Sequence, residues 1–284
     1  MGRRGDCVRH DLGARLMSGF SADWLALREP FDLKARNQQI EDAFRAALPA
    51  DRTVHILDLG SGAGSTVAAM SEKLSGSQNW TLVDNDPRLL DVAAERFSEA
   101  PGVNIQVEIA DLSRDLDDLP WDTVDAITTS AFLDLVTEEF LGTLVETVTA
   151  SQKPFLASLS YDGRASCDPA DPLDDAIRQA MNTHQRTDKG FGAALGPFAW
   201  NAAANLFRQA GYKVTTGASD WIADRDSAAF QKALLAGWIE AASEVGLDLE
   251  QLARWQTRRL GEIEDGHLSV IVGHQDLVAL PPRA

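Results

Sequence analysis

The sequence predicts a doubly wound α/β fold on a mostly parallel sheet, and three observations carry that expectation. Short apolar runs ending in an acid alternate with segments of helical period along the first half of the chain. The first such run, Ile56-Leu57-Asp58-Leu59, passes directly into Gly60-Ser61-Gly62-Ala63-Gly64-Ser65, with glycine at alternate positions. The chain has 284 residues, 44% of them hydrophobic, enough to bury one substantial core.

The elements follow in order. Residues 1–16, rich in arginine and glycine with little apolar periodicity, read as a mobile extension, with Met17 as a natural beginning. Residues 17–50 read as cap helices from Ser21 to Leu48, split at Glu29-Pro30 because proline disfavours the helical region for the residue before it. Arg28, Asp32, Arg36 and Asn37 are their polar candidates, facing either a ligand or solvent. Residues 51–284 read as one domain. Its first strand ends in the glycine turn, where the backbone takes positive φ and a helix start offers free N–H groups.

A second strand, Trp80 to Asp84, precedes Asp86 as N-cap and Pro87 at the first helical position. Asp84 lies about 20 residues beyond the glycines, the interval at which such folds present a carboxylate to ribose; capping the next helix is its other reading. The third strand, Val103 to Ala110, ends at Asp111, and the fourth, Val124 to Ser130, leads into Ala131-Phe132-Leu133-Asp134. A helix from Glu138 to Thr149 and a fifth strand from Pro154 to Ser160 continue the alternation.

Residues 161–196 break that rhythm and concentrate aromatic, imidazole, acidic and basic groups where a strand's carboxyl end opens; they read as a substrate lid. A helix to Gln209, a strand from Gly211 to Thr216, a helical insertion over 227–260 and a last strand from Leu268 to Gly273 complete the chain. The insertion's stripe of Phe230, Leu234, Leu235, Trp238 and Ile239 packs on the core or forms a homodimer interface. Trp221 reads as a core anchor or as a residue reaching the site.

The glycine spacing separates the nucleotides such a turn can hold. A dinucleotide fingerprint needs glycine where Ser65 or Val67 stands, and a Walker loop needs a lysine that Ser65-Thr66 does not supply. What remains, D-x-G-x-G-x-G from Asp58 to Gly64, resembles the first motif of the class I S-adenosylmethionine-dependent methyltransferases. The acid-terminated strands at Asp84 and Asp111 and the fourth run from Val124 follow in that family's order. The resemblance covers about residues 52–160 and implies a seven-stranded Rossmann-like sheet, S-adenosylmethionine as cofactor and a methyl-transfer activity that releases S-adenosylhomocysteine.

It also implies roles. Asp58, Gly60, Ser61, Gly62 and Gly64 line the cofactor, Asp84 and Asn85 meet the ribose, Asp111 and Leu112 meet the adenine, Ser130 borders the transferred methyl, and Arg36 meets the methionine carboxylate. As proton acceptor, His184 has a suitable intrinsic pKa, with Asp162 and Asp134 next. Tyr161, Arg164, Lys189 and Phe191 are substrate candidates by location and residue type. Ser130-Ala131-Phe132-Leu133 stands where DNA-adenine and glutamine methylating enzymes carry an N-P-P-Y-like motif, so a small-molecule acceptor is the expectation.

Composition narrows the partners. A formal charge of −17 and a pI near 4.6, with no basic stripe, disfavour nucleic acid. No run of 18 apolar residues or apolar signal core is present, so neither membrane nor secretion is expected and the location reads as cytoplasmic. Cys7 and Cys167 form no CxxC pair and the acids are scattered, so no metal site is expected. Two other functions stay open: a protein that binds S-adenosylmethionine without transferring its methyl group, and an NAD-linked oxidoreductase.

Overall fold

The computed structural model describes residues 22–282; the basic amino-terminal extension, Met17 and Cys7 lie outside them. Two helices, Ala22–Ala35 (α1) and Gln38–Arg45 (α2), lead into strands Val54–Leu59 (β1), Gln78–Asp84 (β2), Val103–Ile109 (β3), Ala126–Ser130 (β4) and Phe155–Asp168 (β5). Between the strands lie helices Ser65–Met70 (α3), Pro87–Phe97 (α4), Leu112–Asp115 (α5) and Glu138–Ser151 (α6). Then follow Asp174–His184 (α7), Ala199–Gln209 (α8), Lys213–Ala218 (β6), Trp221–Ala223 (β7), Ala228–Glu244 (α9), Leu249–Glu264 (α10) and Ser269–Leu280 (β8).

The sheet order is β3-β2-β1-β4-β5-β8-β6, with β7 added against β8. Strands β1 to β5 pair in parallel, and β8 runs antiparallel to β5, β6 and β7. Alternation along each strand feeds two cores. Ile56, Trp80 and Leu82 pack with Ile40 and Phe44 of α2 and with Val67, Met70, Ala93 and Phe97. On the other face Leu57, Leu59, Ile127 and Phe155 pack with α6 and α8 through Leu141, Leu144, Val148 and Phe207. Strands buried on both faces read as near-continuous apolar runs, as β1 does, whereas the edge strand β3 alternates polar residues and is largely exposed.

Three expectations change. Pro30 does not divide the cap helices: it lies inside α1. A buried Arg28–Asp32 ion pair at 3.0 Å spans it, and Trp24, Leu27 and Phe31 pack against a buried cluster that includes Trp221 and Phe230. Tertiary packing thus outweighs the local preference. The break falls instead at Arg36-Asn37, where Asn37 caps α2 by accepting the Ile40 N–H at 3.3 Å.

Second, β5 does not stop at Ser160. It runs to Asp168, because its outer half pairs with β8 from Tyr161↔His274 to Asp168↔Ser269. Third, the sheet has eight strands; the additional one is the short β7, on which Trp221 pairs with Val272. The extended ends of β5 and β8, with β7, carry α1, α7, α9 and α10 around one apolar cluster of Tyr161, Ile177, Met181, Trp221, Phe230, Trp238, Trp255 and Val272. The stretches that read as a lid and a separate insertion therefore share a core. Arg259 fastens it: fully buried, it donates to both oxygens of Asp174 at 2.6 Å and to the Pro169 carbonyl at 2.7 Å.

Candidate active site

The parallel order brings the carboxyl ends of β1, β2 and β4 together beside the glycine turn. The turn is built by positive φ at Gly60 (62°), Gly62 (52°) and Gly64 (81°). At Gly60 the demand is also steric, because a Cβ would stand 2.7 Å from the Phe132 ring. The space the glycine leaves is thus filled by protein, and α1 lies over the same turn, with Leu25 nearest Gly62. Phe132 continues outward into edge-on contacts with Phe140 and Phe191, whose mutual centroid distance is 4.7 Å. Phe191, a substrate candidate, therefore sits on the aromatic wall above the turn.

Asp84 staples the turn: its Oδ2 accepts the Gly62 N–H at 2.8 Å and its Oδ1 the Asp86 N–H at 2.9 Å. Each oxygen keeps further acceptor capacity. Ser61 is buried and donates its N–H to the Val83 carbonyl, while Asn85 is exposed beside Asp84. Asp111 caps α5, taking the Ser113 N–H at 3.1 Å and its hydroxyl at 2.6 Å, so its carboxylate is engaged locally; Leu112 beside it is buried.

Asp58 is fully buried, with Thr128 Oγ1 donating to its Oδ1 at 2.7 Å across the paired β1 and β4. Burial pushes its carboxyl up to about 6, against the pull of hydrogen bonds from Thr128 and Thr66 and of the Arg36 charge. Its Oδ2 has no partner. Arg36 is buried as well and spends one donor, Nη2, on Ser130 Oγ at 3.1 Å; its Nε and Nη1 are unpaired. Unpaired polar atoms at such depth cost free energy and are uncommon in folded proteins. Here a cation with free donors and a carboxyl with a free acceptor stand within electrostatic reach of each other.

A second buried acid lies just beyond β4. Asp134, in the 3-10 turn Leu133–Leu135, is pushed up to about 6 by burial, opposed by its own N–H, Arg28, the Tyr161 N–H and Lys189. Its Oδ1 is unpaired. Nearby, Tyr161 donates its hydroxyl to Asn182 Oδ1 at 2.8 Å, and Asp32 accepts the Trp221 indole N–H at 2.9 Å. Burial raises the pKa of Asp32 despite Arg28 and Arg36.

Among the three acid and base candidates, Asp134 is the one with a free buried acceptor. His184 ends α7 with both ring nitrogens engaged, Nε2 with Glu244 at 2.8 Å and Nδ1 with Lys189 at 3.4 Å. Asp162 is paired with Arg164 and accepts from Gln275 at 3.1 Å, and Arg164 is shared between Asp162 and Asp220. That pairing occupies Arg164 and lies on the outer part of β5, away from the glycine turn. Lys189 bridges the two areas: burial lowers its pKa, while Glu244 and Asp134 oppose that.

One residue the sequence reading passed over is His274. It is buried on β8 against Trp221 at 4.5 Å between ring centroids, with Nδ1 on the Val272 carbonyl, and burial pushes it down to about 4. No local motif marks it: it stands in Gly273-His274-Gln275-Asp276, the polar break between the two apolar runs of β8. Two clefts, of about 510 and 440 Å³, lie elsewhere, one over the polar face of β1 to β3 and one between β5 and α7. Neither is lined by the glycine turn, which α1 and Phe132 cover. No helix of the described residues is long and apolar enough to cross a membrane, and among them no group of three or more His, Cys, Asp or Glu side chains is placed to hold a metal ion.

Comparison with known proteins agrees with this architecture. A family model described as a methyltransferase domain matches residues 56–154. A cyclopropane-fatty-acyl-phospholipid synthase-like protein from Lactobacillus casei ATCC 334 superposes with a TM-score of 0.51 at 14% identity, over 89% of this chain and 99% of that one. The cyclopropane synthase MmaA2 from Mycobacterium tuberculosis gives 0.50 at 13% identity, over 92% and 94%. At such identities the likeness concerns the fold. No curated protein matches the sequence. The glycine turn and the acid-bearing ends of β1, β2 and β3 lie within residues 56–154, the segment that matches the methyltransferase-domain model.

Proposed function

We propose that the protein transfers a methyl group from S-adenosylmethionine to a small-molecule acceptor carrying an N–H or O–H group. The observation that carries this reading is the complementary pair of unsatisfied groups at the turn, Arg36 with Nε and Nη1 free and Asp58 with Oδ2 free. An α-amino acid group, with carboxylate and ammonium on one carbon, matches that pair. Such matching converts two buried unpaired sites into charge-assisted hydrogen bonds, each worth roughly 1.5 to 3 kcal/mol. Gly62, Asp84, Asn85 and Leu112 are then the residues on the ribose and adenine side.

Bound there, S-adenosylmethionine supplies a methyl carbon activated by a sulfonium, and S-adenosylhomocysteine is the product. The protein's part is to position the acceptor and exclude water. Phe132, Phe140 and Phe191 wall the site from solvent, and Ser130 and Tyr161 border it. Asp134 holds the acceptor's N–H or O–H through its free Oδ1 and takes the proton. A carboxyl near 6 is ionised at neutral pH yet more basic than an ordinary one, which suits that task. The charge of −17 supports a small acceptor over a polyanionic nucleic acid.

Calorimetric titration with S-adenosylmethionine and S-adenosylhomocysteine tests the reading. Saturable binding is expected, weakened about tenfold or more in Arg36→Ala, as loss of a buried charged partner predicts. Screening amines and hydroxyl compounds for release of S-adenosylhomocysteine then identifies the acceptor. A folded sample that binds neither ligand would sink the proposal, and binding with no release under any acceptor would favour a non-transferring role.

A further inference from the structure

Asp276 closes the polar break Gly273-His274-Gln275-Asp276 in β8 and is fully buried, a position that a carboxylate holds only with dedicated donors. It has two. Its Oδ1 accepts the Leu159 N–H at 2.7 Å and its Oδ2 the Asn37 N–H at 2.7 Å. Leu159 is free to donate because the β5–β8 register shifts between Ala157 and Ser160, leaving it at φ 57°, a left-handed conformation that a leucine adopts only when held there. Asn37 is the junction between α1 and α2, and it also donates through Nδ2 to the Ala218 carbonyl at 3.0 Å. Its side chain fills the place where a Cβ on Gly217, the partner of Asp276 on β6, would stand. The carboxylate thus ties the α1–α2 junction to the β5 bulge, and β6 holds the same junction through the Asn37 side chain.

The residue before Asn37 is Arg36, and the residues around Leu159 are Ser158, beside Ser130 on β4, and Tyr161, whose N–H faces Asp134. We propose that Asp276 is a positioning residue: by holding the Asn37 and Leu159 backbones it aims the Arg36 guanidinium at the amino-acid end of the cofactor and ties that aim to the acceptor side. This rests on the reading of Arg36 given under the proposed function. Asp276 touches neither ligand, so its effect reaches the cofactor only through Arg36.

The test compares two ligands on Asp276→Asn, which keeps the shape and loses one acceptor. S-adenosylhomocysteine carries the amino-acid group; 5′-methylthioadenosine keeps the adenosine and thioether without it. The expected result is a rise of about tenfold in Kd for S-adenosylhomocysteine and less than about twofold for methylthioadenosine. In an Arg36→Ala background, Asp276→Asn is expected to add less than about twofold, because two residues acting through one contact are not additive. Equal weakening of both ligands, an unchanged Kd for S-adenosylhomocysteine, or full additivity with Arg36→Ala overturns the inference. If the unsubstituted protein binds neither ligand, the cofactor reading falls and takes this one with it. Hydrogen exchange on the unsubstituted protein needs no variant: slow Asn37 and Leu159 amides, with Asn37 slowed further by S-adenosylhomocysteine, are expected. Exchange at the rate of open loop amides would overturn it.

Discussion

Replacing Asp134 with asparagine is expected to make the protein more stable at pH 8 while lowering its activity. Burial displaces the Asp134 carboxyl from 3.8 to about 6. A carboxyl raised in the folded state favours folding in its protonated form: that contribution is full below about 3.8 and is lost as pH rises through about 6. Above that pH the ionised, buried group opposes folding by about 3 kcal/mol, taking 1.36 kcal/mol for each pH unit of displacement. The neutral amide has no such dependence. Asp134→Asn is therefore expected to exceed the parent by about 2 to 3 kcal/mol at pH 8 and by under about 1 kcal/mol at pH 4. Denaturant melts of both proteins across that range, in the absence of ligand, measure the difference. The pull of Arg28, Lys189 and the Tyr161 N–H on the ionised carboxylate is already contained in the net displacement to about 6, so it needs no separate allowance. A stability difference that does not change with pH would refute the reasoning, whatever its sign.

Gly60→Ala combines a left-handed φ of 62° with a Cβ 2.7 Å from the Phe132 ring, so a loss of about 2 to 4 kcal/mol is expected, read as a lower Tm. An unchanged Tm would mean that Phe132 moves aside freely. His184→Ala is expected to change kcat by less than about threefold, since Glu244 and Lys189 engage both ring nitrogens and the loss is that of one exposed and one part-buried pair. A loss of about a hundredfold in steady-state assays would return His184 to the role of base.

The Asp276 hub clarifies how the fold completes its site. The parallel half of the sheet supplies the glycine turn and its acids, whereas the proposed carboxylate-binding arginine, Arg36, comes from the α1–α2 junction, whose next residue, Asn37, is bonded to Asp276 of the last strand. The outer halves of β5 and β8, with α7, α9 and α10, form the wall around Tyr161 and His274. The residues proposed for the acceptor side thus come from chain segments far apart in sequence, which is why substrate candidates chosen by location alone scatter. Phe191 and Lys189 come close to the site, while Arg164 is held by Asp162 and Asp220.

The sequence by itself determined what local chemistry can encode. Alternating glycines after an acid-bearing strand specify a positive-φ turn, and apolar runs at strand length between helical periods specify a mostly parallel sheet. Asp86 and Pro87 start α4 as their residue types dictate. The tertiary structure decided the rest, because the deciding terms are desolvation and long-range contact. Pro30 stays helical because aromatic packing and a buried ion pair outweigh its local cost. Tyr161 lies in a strand because β8 is long enough to pair with it. Asp134 differs from Asp162 only in its surroundings: one is buried with a free acceptor and the other neutralised by an arginine. No spacing rule distinguishes two such aspartates before the chain has folded.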